Sequence, residues 1–107
     1  MVVVAFRSRY KEGADLDAYA ALVLEIAGLA AAQPGFLSIE DFDSADGCHL
    51  ALVFFETVDS ATAWRDHPVH RAAQQRGRDE FFSWYSVHVA EVLRSHELQL
   101  TTTAPAR

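Results

Sequence analysis

Val2-Val3-Val4-Ala5-Phe6 is an apolar, mostly β-branched run, and after Arg7-Ser8-Arg9 the chain meets Lys11-Glu12-Gly13, where the glycine supplies a turn. A first strand is predicted over residues 2–9. From Asp15, a capping residue with Asp17 in the first turn behind it, apolar residues recur at Tyr19, Leu22, Val23, Ile26, Leu29 and Ala30. That spacing is one face of a helix, and it should stop before Pro34-Gly35, because proline cannot continue the hydrogen-bond ladder. Phe36 to Phe42 alternates in part, Ser44-Ala45-Asp46-Gly47 has hairpin chemistry, and His49 to Phe55 is almost unbroken apolar sequence. These segments predict a second and third strand joined as an antiparallel hairpin.

Asp59-Ser60 can cap a short helical turn carrying Ala61, Ala63 and Trp64, and His67-Pro68 restarts the helix with proline in its first position. This second helix should run to about Arg76 and break at Gly77, with Phe81 and Phe82 on a further turn and a fourth strand from Trp84 to Leu93. The order βαββαβ is α+β and ferredoxin-like: a four-stranded antiparallel sheet with helices on one face. On the third strand Leu50, Leu52 and Phe54 take one side and Ala51, Val53 and Phe55 the other, so neither face is expected to be wet. A bare apolar sheet face is rare on soluble monomers, which predicts a homodimer with facing sheets. The domain is expected over residues 1–95, with 96–107 a polar tail that is frayed or laid on the partner subunit.

A chain of 107 residues is one domain by length, with an expected radius of gyration near ~13 Å. Half of it is apolar and 22% is charged, enough to offset the entropy of ordering. With 9 basic against 15 acidic residues the net charge is −6, which repels nucleic acid and anionic membrane surfaces. No stretch is long enough for a membrane span, and in MVVVAFRSR the arginines follow the apolar run, opposite to the order of a secretory leader. Cys48 has no internal partner. A reducing, cytoplasmic setting is expected.

The five histidines, at 49, 67, 70, 88 and 96, lack metal-site spacing, and no metal is expected. His67 reads as a helix cap and His70 as a ring solvated or packed on Trp64; the functional reading makes them ligand-binding or acid-base groups. His49 and His88 read as sheet-surface or dimer-interface residues. Arg65, Arg71, Arg76 and Arg78 gather positive charge around the second helix, and at helical spacing His67, Arg71 and Arg78 share a face. That face is either merely solvated or suited to an anionic or phenolate ligand. Trp64, Trp84, Tyr85, Phe81 and Phe82 either build core or line a pocket for a flat aromatic molecule. The chain has no G-x-G-x-x-G, P-loop or G-x-S-x-G, so no organic cofactor is expected.

Pro34-Gly35-Phe36 opening the second strand, Phe55-Glu56-Thr57 closing the third, and the stretch from Ala63-Trp64-Arg65-Asp66-His67-Pro68 through His70-Arg71 to Gln74 resemble the antibiotic biosynthesis monooxygenase family. Gly77-Arg78 and the aromatic block from Phe81 to Tyr85 extend the resemblance, which covers roughly residues 2–94. It implies a dimeric α+β barrel, and a cofactor-independent monooxygenase acting with O₂ on a hydroxylated aromatic or quinol. The residues it points to are His70 and Trp64 as catalytic, and Phe6, His67, Arg71 and Gln74 as substrate-binding. Other members degrade haem, and an isomerase or a non-catalytic ligand-binding dimer could use the same scaffold. The haem-degrading branch places asparagine, tryptophan and histidine where this chain has Phe6, Trp64 and Gln74. The anthrone-oxygenase branch needs an asparagine on the third strand, and this chain contains no asparagine.

Overall fold

Three consecutive valines favour extended backbone, and Val2–Tyr10 forms β1 of the computed structural model, which describes residues 1–101. The remaining elements are α1 (Leu16–Ala31), β2 (Phe36–Asp43), β3 (His49–Phe55), α2 (Val58–Asp66), α3 (Pro68–Arg76), a π-helical turn (Gly77–Phe81) and β4 (Phe82–Glu91). The four strands order as β2-β3-β1-β4, every neighbouring pair antiparallel. This is the expected α+β, ferredoxin-like arrangement.

Local signals account for most boundaries. Asp15 caps α1, its Oδ1 accepting from the Ala18 N–H at 3.0 Å. After α1, Gly35 adopts φ +82°, and a Cβ there would come within 2.6 Å of the Ser60 Oγ, so the position needs glycine for both backbone and space. Its carbonyl accepts from the Glu56 N–H at 2.8 Å, tying the start of β2 to the end of β3. The hairpin turn is closed by Ser44 and Cys48 at 2.9 Å and pinned from β1 by Arg9, whose guanidinium meets Asp46 at 2.8 Å.

The α3 end at Arg76 is as expected, but the cap of α2 and the segment after Arg76 differ from the sequence reading. The cap of α2 is Thr57 rather than Asp59-Ser60: Thr57 Oγ1 accepts from the Ser60 N–H at 3.0 Å, while Ser60 Oγ accepts from the Thr57 N–H at 3.2 Å. This reciprocal pair uses Ser60 at the third helical position. Gly77 does not break the chain either. With φ −56° and ψ −48° it is helical and opens the π turn, and β4 begins at once with Phe82, earlier than Trp84. The reason for glycine is tertiary: it is buried, and a Cβ there would meet the Phe82 ring.

Paired residues point to the same side of a sheet, so Val2, Val4, Phe6 and Ser8 face the helices together with Phe55, Val53, Ala51 and His49 of β3. The core forms there from Val2, Phe55, Ala30, Ala61 and Trp64, with Val4, Ile26, Leu29, Phe36 and Val53 packed around it. The other face is apolar at its centre, with Val3 and Ala5 beside Leu52 and Phe54, but not throughout: Arg7, Arg9, Glu40 and Ser86 share it. The open face is therefore apolar in this central patch and polar around it, rather than apolar throughout as expected.

α1 packs on β2, and α2 on β1 and β3, which leaves the helix side of β4 thinly covered. Val87 and Val89 are on average half exposed there, at 50% and 56%. Beyond β4, Val92 still donates to the Met1 carbonyl at 2.9 Å, and then the chain runs as an exposed arm with Leu93, Leu98 and Leu100 bare. The radius of gyration is 15.3 Å, above the value expected of a compact chain. Of the expected tail, residues 102–107 lie outside those described. No helix among the described residues is long and apolar enough to cross a membrane.

Candidate functional site

The corner between α2 and α3 is set by Pro68. A residue before proline is driven out of the helical region, so His67 takes φ −59° and ψ 131°, ending one helix and starting the next. Its Nδ1 accepts from the Val69 N–H at 3.2 Å, which makes it the cap of α3. One turn on, the His70 ring lies flat on the Trp64 indole, centroids 4.2 Å apart and planes 12° from parallel. His70 Nδ1 is 2.9 Å from the Trp64 carbonyl. A carbonyl only accepts, so Nδ1 carries the proton and the neutral ring keeps its lone pair on Nε2. Burial pushes the His70 pKa below the ordinary histidine value and nearby His67 acts the same way, against the opposing pull of the Trp64 carbonyl.

Gln74 lies one further turn along, its Nε2 donating to the Arg65 carbonyl at 3.2 Å and standing 3.4 Å from His70 Nδ1. Both of these nitrogens are donors, so the second approach is a contact rather than a hydrogen bond. Arg71 is exposed on α3. Arg78 donates to Gln75 Oε1 at 2.8 Å, Arg65 pairs with Asp66 and Arg76 with Glu80. The π turn also interrupts the 3.6-residue period on which Arg78 was expected to share a face with His67 and Arg71.

Phe6 joins a different group. Its ring partners are Phe82 at 5.5 Å and Tyr85 at 5.7 Å, and Phe82 in turn meets Tyr19 at 5.4 Å. Trp64, by contrast, has His67 and His70 as its ring neighbours. The aromatic block of the sequence is also divided: Phe81 is buried, Phe82 and Tyr85 lie on the helix side, and Trp84 turns to the open face under the Arg7 guanidinium at 5.3 Å. Trp84 is therefore not part of a pocket with Trp64.

His49 was expected at the sheet surface or a dimer interface, yet it lies on the helix side between two carboxylates. Its Nδ1 meets Asp43 at 2.8 Å and its Nε2 meets Asp41 at 3.1 Å. The signal in the sequence was the hairpin itself: a turn at 44–47 sets Asp43 opposite His49, and Asp41 two residues along shares the same side. His88 pairs with Ala5 on the open face, and His96 lies in the exposed arm. No group of three or more His, Cys, Asp or Glu among the described residues has an arrangement that could hold a metal ion. The Phe6, Trp64 and Gln74 set does not fit haem, because the Gln74 amide is engaged with Arg65 and offers no imidazole to iron.

Fold and site together define a small α+β domain of the ferredoxin-like class, with a histidine-tryptophan stack on the helical layer. The chain belongs to the antibiotic biosynthesis monooxygenase family, whose description it matches over residues 1–76. A relative in Bacillus subtilis (strain 168), the uncharacterized protein YqjZ, is 39% identical over 74 residues; the match covers 69% of this chain and 65% of YqjZ. Among solved structures, Rv0793 from Mycobacterium tuberculosis superposes with a TM-score of 0.78 at 20% identity, over 90% of this chain and 98% of that one. SnoaB, a cofactor-independent oxygenase from Streptomyces nogalater, superposes at 0.73 with 12% identity, over 88% of this chain and 94% of its own. At these identities the structural likeness is one of fold.

Proposed function

We propose that this protein is a cofactor-independent monooxygenase of a hydroxylated aromatic or quinol, working as a cytoplasmic homodimer. The observation that carries the reading is the His70 ring, held flat on Trp64 with Nδ1 tied to a carbonyl and Nε2 left as the basic atom. A histidine kept neutral by burial is ready to take a phenolic proton near pH 7. The substrate anion so formed supplies all the electrons that reduce O₂: one oxygen atom bonds to a ring carbon, the other leaves as water with the two hydrogens the substrate loses, and the protein's task is to bind, deprotonate and orient it. The thinly covered helix side of β4, with Phe6, Tyr85 and Val87, offers an apolar floor for a flat ring. His67, Arg71 and Gln74 complete the reading as the polar groups that steady its oxygens. The open sheet face, apolar around Ala5, Leu52 and Phe54, is the surface that a second copy covers.

Oxygen uptake by metal-free protein tests this, with a panel of hydroquinones and an anthrone and with background autoxidation subtracted. Uptake that depends on the protein and falls by about 10²-fold in His70→Ala is the expected result. A fall of less than about threefold removes His70 as the base. No uptake by the wild type with any substrate of the panel would refute the oxygenase reading in favour of a non-catalytic, ligand-binding dimer.

A further inference from the structure

A cavity of about 270 Å³ opens between the first half of α1 and the β2-β3 edge of the sheet. It is separate from the Trp64-His70 stack. Leu16 and Val23 form its apolar side, and Tyr10, Tyr19, Asp41 and His49 supply its polar groups. At this size it is smaller than the sites that take drug-sized ligands and suits a single ring or short chain.

The charge of the lining is one-sided. The carboxylates of Asp41 and Asp43 flank a single imidazole, so the cluster has two acidic groups to one basic group. No lysine or arginine is among the lining residues. Arg9, the nearest arginine in the β1 register, lies on the opposite face and is held by Asp46. Tyr10 and Tyr19 meet edge to face at 5.3 Å, and Phe81 and Phe82 back Tyr19 at 5.1 and 5.4 Å, so these walls are held from behind. Burial raises the phenol pKa of Tyr19, with Tyr10 and Asp41 adding to it, and raises that of Tyr10, with Asp43 and Asp41 adding. Both phenols therefore stay neutral and leave the negative charge on the carboxylates. Directly across the register from His49, Ser8 is fully buried on the same side, with a hydroxyl that has no partner among the described residues.

We propose that this cavity binds a small organic cation, an ammonium group on one apolar ring or short chain, with Asp41 as its counter-ion and the Tyr10 and Tyr19 rings as its walls. Two features favour a cation over a neutral phenol or alcohol. An ammonium offsets the negative charge of the carboxylates and donates to Asp41, and the two tyrosine rings among the lining residues give it aromatic contact. A neutral alcohol can donate one hydrogen bond to the carboxylate but brings no charge to offset it.

Titration of the intact protein with benzylamine and with benzyl alcohol, followed by calorimetry and by the tyrosine ring resonances, tests the proposal. Benzylamine should bind saturably with a dissociation constant of order 1 mM, and about tenfold more tightly than the alcohol. Asp41→Asn should bring the two ligands level. Raising the ionic strength in the wild type should weaken the amine and leave the alcohol unchanged, which keeps the test decisive if the variant folds poorly. Equal affinity for both ligands, no saturable amine binding, or amine-induced shifts confined to Trp64 and His70 would overturn it. Oxygen uptake is read separately, so this result and that of the oxygenase assay stand independently.

Discussion

Replacing glycine by alanine should have opposite effects at two helical positions of this protein. Gly77 has ordinary helical dihedrals, so alanine gains there whatever intrinsic preference it has, up to about 1 kcal/mol. A Cβ at this position would, however, sit 2.6 Å from Phe82 Cε2 and 3.0 Å from Cδ2. Carbon atoms pack best near 3.5–4.0 Å, so the ring would have to retreat by about 1 Å. It has little room, because Phe6, Tyr19 and Tyr85 surround it at 5.5, 5.4 and 6.1 Å. Overpacking of this kind costs about 1–3 kcal/mol, and the hemmed ring places the site toward the upper end. Net destabilisation of about 1–2 kcal/mol is expected for Gly77→Ala after the helical gain is subtracted. Gly28, within α1, has nothing within 4 Å of a built Cβ, and Gly28→Ala should stabilise by about 0.5–1 kcal/mol. Urea unfolding at matched protein concentration measures both, with a double-mutant cycle through Phe82→Leu to isolate the coupling. If Gly77→Ala were as stable as the wild type, or if the cycle showed no coupling to Phe82, the packing argument would fail.

Thr57→Ala removes one half of the reciprocal cap of α2 and should cost about 1 kcal/mol in the same unfolding assay. Folding lowers the His70 pKa, so the unfolded chain takes up that proton first as the pH falls below about 6.5. The wild type should therefore lose stability between about pH 7 and 5 more steeply than His70→Gln, as thermal melts across that window will show. Parallel slopes would mean that His70 is not held neutral by its surroundings. Under the proposed assembly light scattering should find the wild type dimeric, and Phe54→Glu, which places a charge at the centre of the open sheet face, monomeric at the same concentration. A variant that stays dimeric would direct attention to a different interface.

Much of the architecture was legible because its determinants are local. The valine run of β1, the cap at Asp15, the stop before Pro34-Gly35 and the restart at Pro68 each lie within a few residues of the boundary they set. The stack of His70 on Trp64 was also within reach, since six residues spanning a proline corner bring the two rings together. The cap at Thr57 was misplaced because Thr57, Asp59 and Ser60 are all competent caps, and only the backbone path out of β3 selects among them. Gly77 was read as a breaker because its close neighbour Phe82 becomes apparent only once the turn reverses direction into β4.

By itself the sequence determined the elements, their order, the antiparallel hairpin and the buried face of α1, since periodicity, capping and turn chemistry act over one or two turns of chain. Tertiary structure alone decided which side chains meet across the sheet. Pairing Ser8 with His49 and with Tyr85, and Arg9 with Trp84, depends on the register of strands far apart in sequence, with a bulge between Arg9 and Tyr10 adjusting it. That register turned Trp84 away from the helices and gathered Phe6, Phe82 and Tyr85 on their side. It also set Tyr10 and His49 around the same cavity. A strand's alternation says that neighbours point to opposite faces, but which face lies under the helices, and how far the helices cover it, is settled only when the layers pack.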